Sequence, residues 1–267
     1  MIAHVGVALW LMLLWACVGA VAWEATHALA GGAWGYALAP AWRRQRRWLP
    51  VAMLLAAALL IGASHVFPWL VRPVEPSRQW YLNLPALVLR TIVCLGAFGV
   101  GGALVRRTPA LVLILWLFAT GIVATDWIVS LAPDWRSSAI GLIAAVGQLS
   151  VALALAVATM ETTSVTPATR SDAGSLLIAV SLGWAYLAGV DYLTAWMADL
   201  PYETGWYLPR TRGPWAWLAV GAVALHLVVP AALLLPRHGR EGRLSLRAAA
   251  VSVLAGEACH IAWMVVP

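Results

Sequence analysis

Seven side chains able to hold or move a proton stand within or at the ends of long apolar runs of this sequence: His65, Arg90, Asp126, Asp191, His226, Glu257 and His260. A charge near the centre of a bilayer costs on the order of 2.5–3.5 kcal/mol even on insertion scales, so each calls for a partner or a purpose. His65, Arg90 and Asp126 come from three consecutive apolar runs joined by short connections, which makes neighbouring helices of them. A His and an Asp so placed are the bases that quinol oxidation needs, since it releases two protons. The alternative is an Arg90–Asp126 ion pair that locks two helices, with His65 snorkelling at the interface. In the second group Glu257 and His260 are spaced i, i+3 and share a helix face, His226 stands four residues before Pro230, and Asp191 lies beside Tyr192. Chains of Asp, His and Glu through a bundle build proton routes, and they also build hydrogen-bonded clusters that fix packing. A haem b held by His226 and His260 is disfavoured, because cytochromes b repeat such pairs and only one pair is available here.

The elements that must position these residues follow from composition. Of 267 residues, 63% are apolar and 10% charged, against roughly 45–50% and 25% in ordinary globular domains. That excludes a soluble enzyme, a coiled coil and a disordered tail. A bilayer core of about 30 Å takes roughly 20 helical residues. Eight segments satisfy this: 3–23, 49–70, 83–105, 109–131, 137–160, 173–199, 214–236 and 248–266. The expected fold is all-α, a polytopic membrane protein of eight transmembrane helices in two four-helix bundles, about 1–131 and 137–267. Residues 24–48, with Gly31-Gly32 and the run Arg43-Arg44-Gln45-Arg46-Arg47, read as the one long connection.

All the basic residues other than histidine are arginine, and 11 lie in the odd-numbered connections against five in the even-numbered ones. Positive-inside bias then places both termini outside the cytoplasm. In that orientation His65, Arg90 and Asp126 share an outer layer. The arginines sit in short clusters between apolar runs, the pattern of membrane orientation, so nucleic acid is not an expected partner. Tryptophans at span ends, among them Trp23, Trp48, Trp69, Trp80, Trp135, Trp206 and Trp215, read as an aromatic belt, and Trp10, Trp116 and Trp184 as packing residues. Cys17, Cys94 and Cys259 form no C-x-x-C pair, which argues against a thiolate metal site, a disulfide framework or covalent haem. Met1-Ile2-Ala3-His4 lacks the basic residue of a secretory leader, so the first run reads as a membrane helix.

Several stretches resemble one family. ATDWIVSLAPDWRSSAI at 124–140 is similar to a pattern D-W-x-M-S-L-x-P-x-W-x-S-T found in membrane subunits of alternative complex III, the bacterial quinol:cytochrome c oxidoreductase of the NrfD/PsrC-like group. Within that group the chain most resembles the second of the two quinone-binding-type membrane subunits. HVFPW at 65–69 with WYLNLPALVLR at 80–90, DLPYETGWYLPR at 199–210, HLVVP at 226–230 and HIAWMVVP at 260–267 match further segments in order. Tyr202 departs from the pattern where a Glu is usual, and Ala132-Pro133-Asp134 replaces an acid-Pro-His. Eight of the family's ten helices are matched, which leaves out the peripheral first and last.

The resemblance implies a non-haem subunit of the bacterial inner membrane that contacts quinone or relays protons and is inactive alone. Haem c and iron–sulfur groups would belong to partner subunits, and this chain would hold no covalent cofactor, with quinone or quinol as its ligand. Asp126, Arg90 and Asp191, then His226, are the residues carried over by position. A purely structural subunit is the competing expectation. A secondary transporter is disfavoured, since no internal repeat with broken helices is visible.

Overall fold

The structure is a computed structural model that describes residues 2–72, 74–161 and 165–266. Among the described residues the regular elements are all helical. In chain order they are α1 (Ile2–Ala30), α2 (Ala33–Arg46), α3 (Leu49–Ile61), α4 (Ala63–Val66), α5 (Pro76–Gln79), α6 (Leu84–Leu104), α7 (Pro109–Trp127), α8 (Ile140–Thr159), α9 (Pro167–Ala198), α10 (Pro201–Arg210), α11 (Gly213–Val223), α12 (Val229–Leu234), α13 (Arg237–Glu241) and α14 (Arg243–Val265). A π-turn, Ala224–Val228, joins α11 to α12. Among the described residues, seven helical stretches are long and apolar enough to cross a membrane, built on α1, α6, α7, α8, α9, α11–α12 and α14.

Two expected segments differ. The run 49–70 is not one long helix: α3 is 13 residues, about 20 Å at 1.5 Å per residue, and stops at Gly62. Glycine is a poor helix former, and Pro68 then opens a 3₁₀ turn instead of extending α4. The connection 24–48 in turn contains α2, whose buried residues Gly35, Leu38, Ala41, Trp42 and Gln45 recur at helical spacing. That stripe packs on α1, α8 and α9, while the adjoining arginines and the Gly31-Gly32 pair made the segment look like a loop.

Local signals place the other ends. Asn83 caps α6 by accepting from Ala86 N at 2.9 Å, and Thr166 caps α9 by accepting from Thr169 N. Proline stands in the first turn of α6, α7, α9 and α11, where its missing N–H is no loss.

Helices α1 and α8 form the centre. α1 packs on α2, α3, α7, α8 and α14, and α8 also meets α7, α9 and α14. Their contact is backbone to backbone: a Cβ on Gly19 would lie 2.0 Å from the Gln148 carbonyl oxygen, the close approach that small residues allow between membrane helices. Trp23 Nε1 donates to the Leu149 carbonyl at 2.8 Å along the same seam. Gly19→Val is therefore expected to destabilise the protein by about 3 kcal/mol, the upper end for overpacking, read as a lower unfolding midpoint in detergent. An unchanged midpoint would mean that α1 and α8 do not meet in this way.

Candidate functional site

Arg90 on α6 and Asp126 near the end of α7 form a two-pronged ion pair. Arg90 Nε lies 2.9 Å from Oδ2, and Nη2 lies 2.9 Å from Oδ1. Asp126 is 1% exposed. The Tyr81 ring covers the guanidinium at 3.8 Å, and Trp127 Nε1 donates to Thr91 Oγ1 at 3.2 Å, tying the same two helices again. His65 lies outside this pair: it is exposed on α4, with Nδ1 3.5 Å from Ser64 Oγ. The first group is thus brought together in part, two residues locked and one apart.

The second group converges fully in two adjoining places. His226 and Glu257 are both 0% exposed, with Nδ1 2.9 Å from Oε2. The carboxylate lies off the ring N–H axis, so this is a close polar contact and not an aligned hydrogen bond. Trp184 of α9 stacks on the His226 ring at 4.3 Å and donates from Nε1 to His260 Nδ1 at 3.1 Å. That nitrogen of His260 accordingly acts as an acceptor, and the Glu257 oxygen 3.5 Å away stands beside it.

Backbone chemistry builds this cluster. Pro230 has no N–H to offer the carbonyl of His226 and its ring crowds that carbonyl, so the helix widens into the π-turn Ala224–Val228. The Leu225 carbonyl then accepts the Ser252 hydroxyl of α14 at 2.7 Å. Gly256 lets α14 reach the turn, since a Cβ there would lie 2.5 Å from His226 N. Gly147 of α8 makes room for Glu257 Oε1.

Asp191 of α9 marks the adjoining cleft. Ser137 Oγ donates to its Oδ1 at 2.7 Å and Tyr207 Oη to its Oδ2 at 2.5 Å. Burial, and then the Asp191 carboxylate, raise the Tyr207 phenol above its ordinary range, so it remains a donor. The cleft has a volume of about 650 Å³ and is walled mostly by aromatic and aliphatic side chains. Asp191, Tyr207 and His260 are its ionisable lining groups together with Tyr192. Trp184 stands seven residues before Asp191, so the two polar ends lie about 10 Å apart along α9. Helix α10 closes one side: Arg210 Nε donates to the Trp263 carbonyl and Trp263 Nε1 to the Arg210 carbonyl, each at 3.1 Å. Burial lowers the Arg210 pKa to about 10, which leaves it a cation at neutral pH.

Four contributors escaped sequence reasoning. Trp184 passed for a packing residue, although its two-turn spacing from Asp191 put both on one helix face. Trp135 and Trp206 read as headgroup-level residues, yet they are buried and stack at 3.9 Å in the cleft wall. Tyr207 carried no local signal, because its partner is Asp191 on another helix. Chemically the cleft suits a flat lipophilic molecule with polar atoms at both ends. Family models and curated proteins give no match to this chain.

Proposed function

We propose that this chain is a non-haem integral membrane subunit of a bacterial respiratory quinol:cytochrome c oxidoreductase, with quinone as its ligand and a proton relay behind it. The observation that carries the reading is the aromatic cleft with Asp191 and Tyr207 at one end and His260 at the other, backed by the buried Glu257–His226 contact. Quinol oxidation releases two protons and two electrons. Asp191 and His260 are placed to accept the protons, Glu257 and His226 to carry them on, and the electrons would leave to haem c and iron–sulfur groups of partner subunits. The ordered resemblance of 65–69, 80–90, 124–140, 199–210 and 226–230 supports the same assignment. In this reading the protein crosses the inner membrane eight times, with residues 49–70 as the further crossing, and both termini are periplasmic. Its first and second halves make two four-helix bundles.

The Arg90–Asp126 pair favours a structural role for that site, since both charges are engaged with each other. A structural subunit as a whole is the rival reading, and one experiment separates them. The tagged chain is purified from its native membrane in mild detergent, co-purifying chains are identified, and quinol:cytochrome c activity is measured. Recovery with haem c and iron–sulfur subunits is expected. Asp191→Asn is expected to lower that activity about 100-fold, the usual worth of one positioned acid–base group. Full activity in this variant would leave a structural subunit, and recovery without redox partners would sink the respiratory assignment.

A further inference from the structure

A second feature is lined by other helices than the aromatic cleft. Where α1, the end of α2, the start of α3 and the end of α6 converge, a cleft of about 480 Å³ is lined by Arg43, Arg46, Arg106 and Glu24. Arg46 donates to the Gly102 carbonyl and lies 3.5 Å from Glu24, which engages the one acid present. Arg43 and Arg106 are exposed, and among the described residues neither makes a hydrogen bond or ion pair. The cleft thus gathers three arginines around one carboxylate, Arg43 and Arg106 feeling Glu24 only at longer range, and so presents an excess of positive charge at a helix-end level where the chain meets the membrane surface.

The seam between α3 and α6 continues from this cleft without a polar interruption of consequence. Met53 belongs both to the arginine-lined cleft and to a second cavity of about 580 Å³, which runs on past Ala56 and Leu60 of α3 and Gly96, Ile92 and Val88 of α6. From Pro50 to Ile61 the groove follows α3 for about 16 Å. That is close to half of a roughly 30 Å hydrocarbon core, the depth of one leaflet. Glycines 96 and 99 keep α6 low along it: a Cβ on Gly96 would meet nothing within 4 Å, and one on Gly99 would only touch Met53 Cε at 3.5 Å.

A cationic pocket at one end and a leaflet-deep apolar furrow at the other have the shape and polarity of one molecule class. We propose that the α3–α6 seam is a binding site for an anionic glycerophospholipid, its phosphate between Arg43 and Arg106 and an acyl chain along Met53, Leu60 and Gly96. Basic pockets between membrane helices bind such headgroups through the same charge complementarity. Arg46 shapes the pocket while its own charge is held by Glu24. The lipid fills the shallow contact between α3 and α6 and supports the broken α3–α4 segment from outside.

The test uses the full-length protein in detergent, with native mass spectrometry during titration by phosphatidylglycerol, phosphatidylcholine or inorganic phosphate. Phosphatidylglycerol is expected to bind with one-to-one stoichiometry and at least tenfold more tightly than phosphatidylcholine. Arg43→Gln with Arg106→Gln is expected to weaken it about 30-fold, from roughly fivefold per arginine at a membrane surface. Gly99→Leu, which blocks the junction of cleft and furrow beside Met53 and leaves the arginines in place, is expected to weaken binding of both lipids while the unfolding midpoint without lipid holds. Equal binding of the two lipids, phosphatidylglycerol affinity unchanged in either variant, or its displacement by millimolar inorganic phosphate would each overturn the proposal. Should the double variant fail to fold, the Gly99→Leu titration decides alone.

Discussion

Asp126→Ala is expected to destabilise the folded protein by about 3–5 kcal/mol, the cost of leaving a buried charge without its partner. The carboxylate is buried and holds the Arg90 guanidinium by two parallel contacts. Removing it strands a cation among α6 and α7 with only the Tyr81 face beside it. Denaturant unfolding in detergent reads the change as a fall in midpoint. The double variant Arg90→Met, Asp126→Leu is expected to recover to within about 1 kcal/mol of the parent, because apolar residues of similar size often replace a buried pair without loss. A double variant as unstable as Asp126→Ala would show that the pair does more than offset its own desolvation. If quinol:cytochrome c activity followed stability in both variants, Asp126 would be a lock; activity lost in the stable double variant would return it to the proton route.

Glu257 separates shape from proton transfer. Glu257→Ala removes the polar partner of His226 and opens a cavity between α8, α14 and the π-turn, where Gly147 and Gly256 now allow close contact. A loss of about 3–5 kcal/mol is expected, from the cavity and from the His226 ring left without a polar neighbour. Glu257→Gln preserves the volume, so its cost is expected to stay near 1–2 kcal/mol, the penalty of an imperfectly paired buried polar group. The amide cannot accept and release a proton at neutral pH. In the purified complex Glu257→Gln should therefore lower turnover about 100-fold while the chain stays folded. Turnover equal to the parent in a folded Glu257→Gln complex would remove Glu257 from the relay and leave it a packing residue. Alanine and glutamine variants that lost activity equally, in proportion to lost folded protein, would say the same.

How much of this was legible in the sequence depends on the range over which each signal acts. Membrane character, the apolar helical runs and most helix starts were readable, because hydropathy and capping are properties of adjacent residues. Asn83 and Thr166 stand immediately before their helices and each accepts from the backbone N–H three positions on. Glu257 and His260 could be placed on one face by spacing alone. Even α2 carried its own periodic stripe, hidden only by the arginines that share the segment.

Other features belong to tertiary structure. The sequence left open whether Arg90 and Asp126 make a pocket or a lock, and only the approach of α6 to α7 closes the pair and leaves His65 outside it. Pro230 predicts a disturbed helix, but the π-turn matters because Ser252 and Gly256 on α14 meet it. Trp184 becomes a site residue by lying between two histidines that are 34 positions apart in the chain. Local sequence alone places most of the helices and makes seven of the described stretches long and apolar enough to cross a membrane, since those depend on local backbone chemistry and side-chain transfer energies. Which ionisable groups meet, and which face a cleft, was decided only in the packed bundle, because those contacts join residues whose separation along the chain carries no pattern.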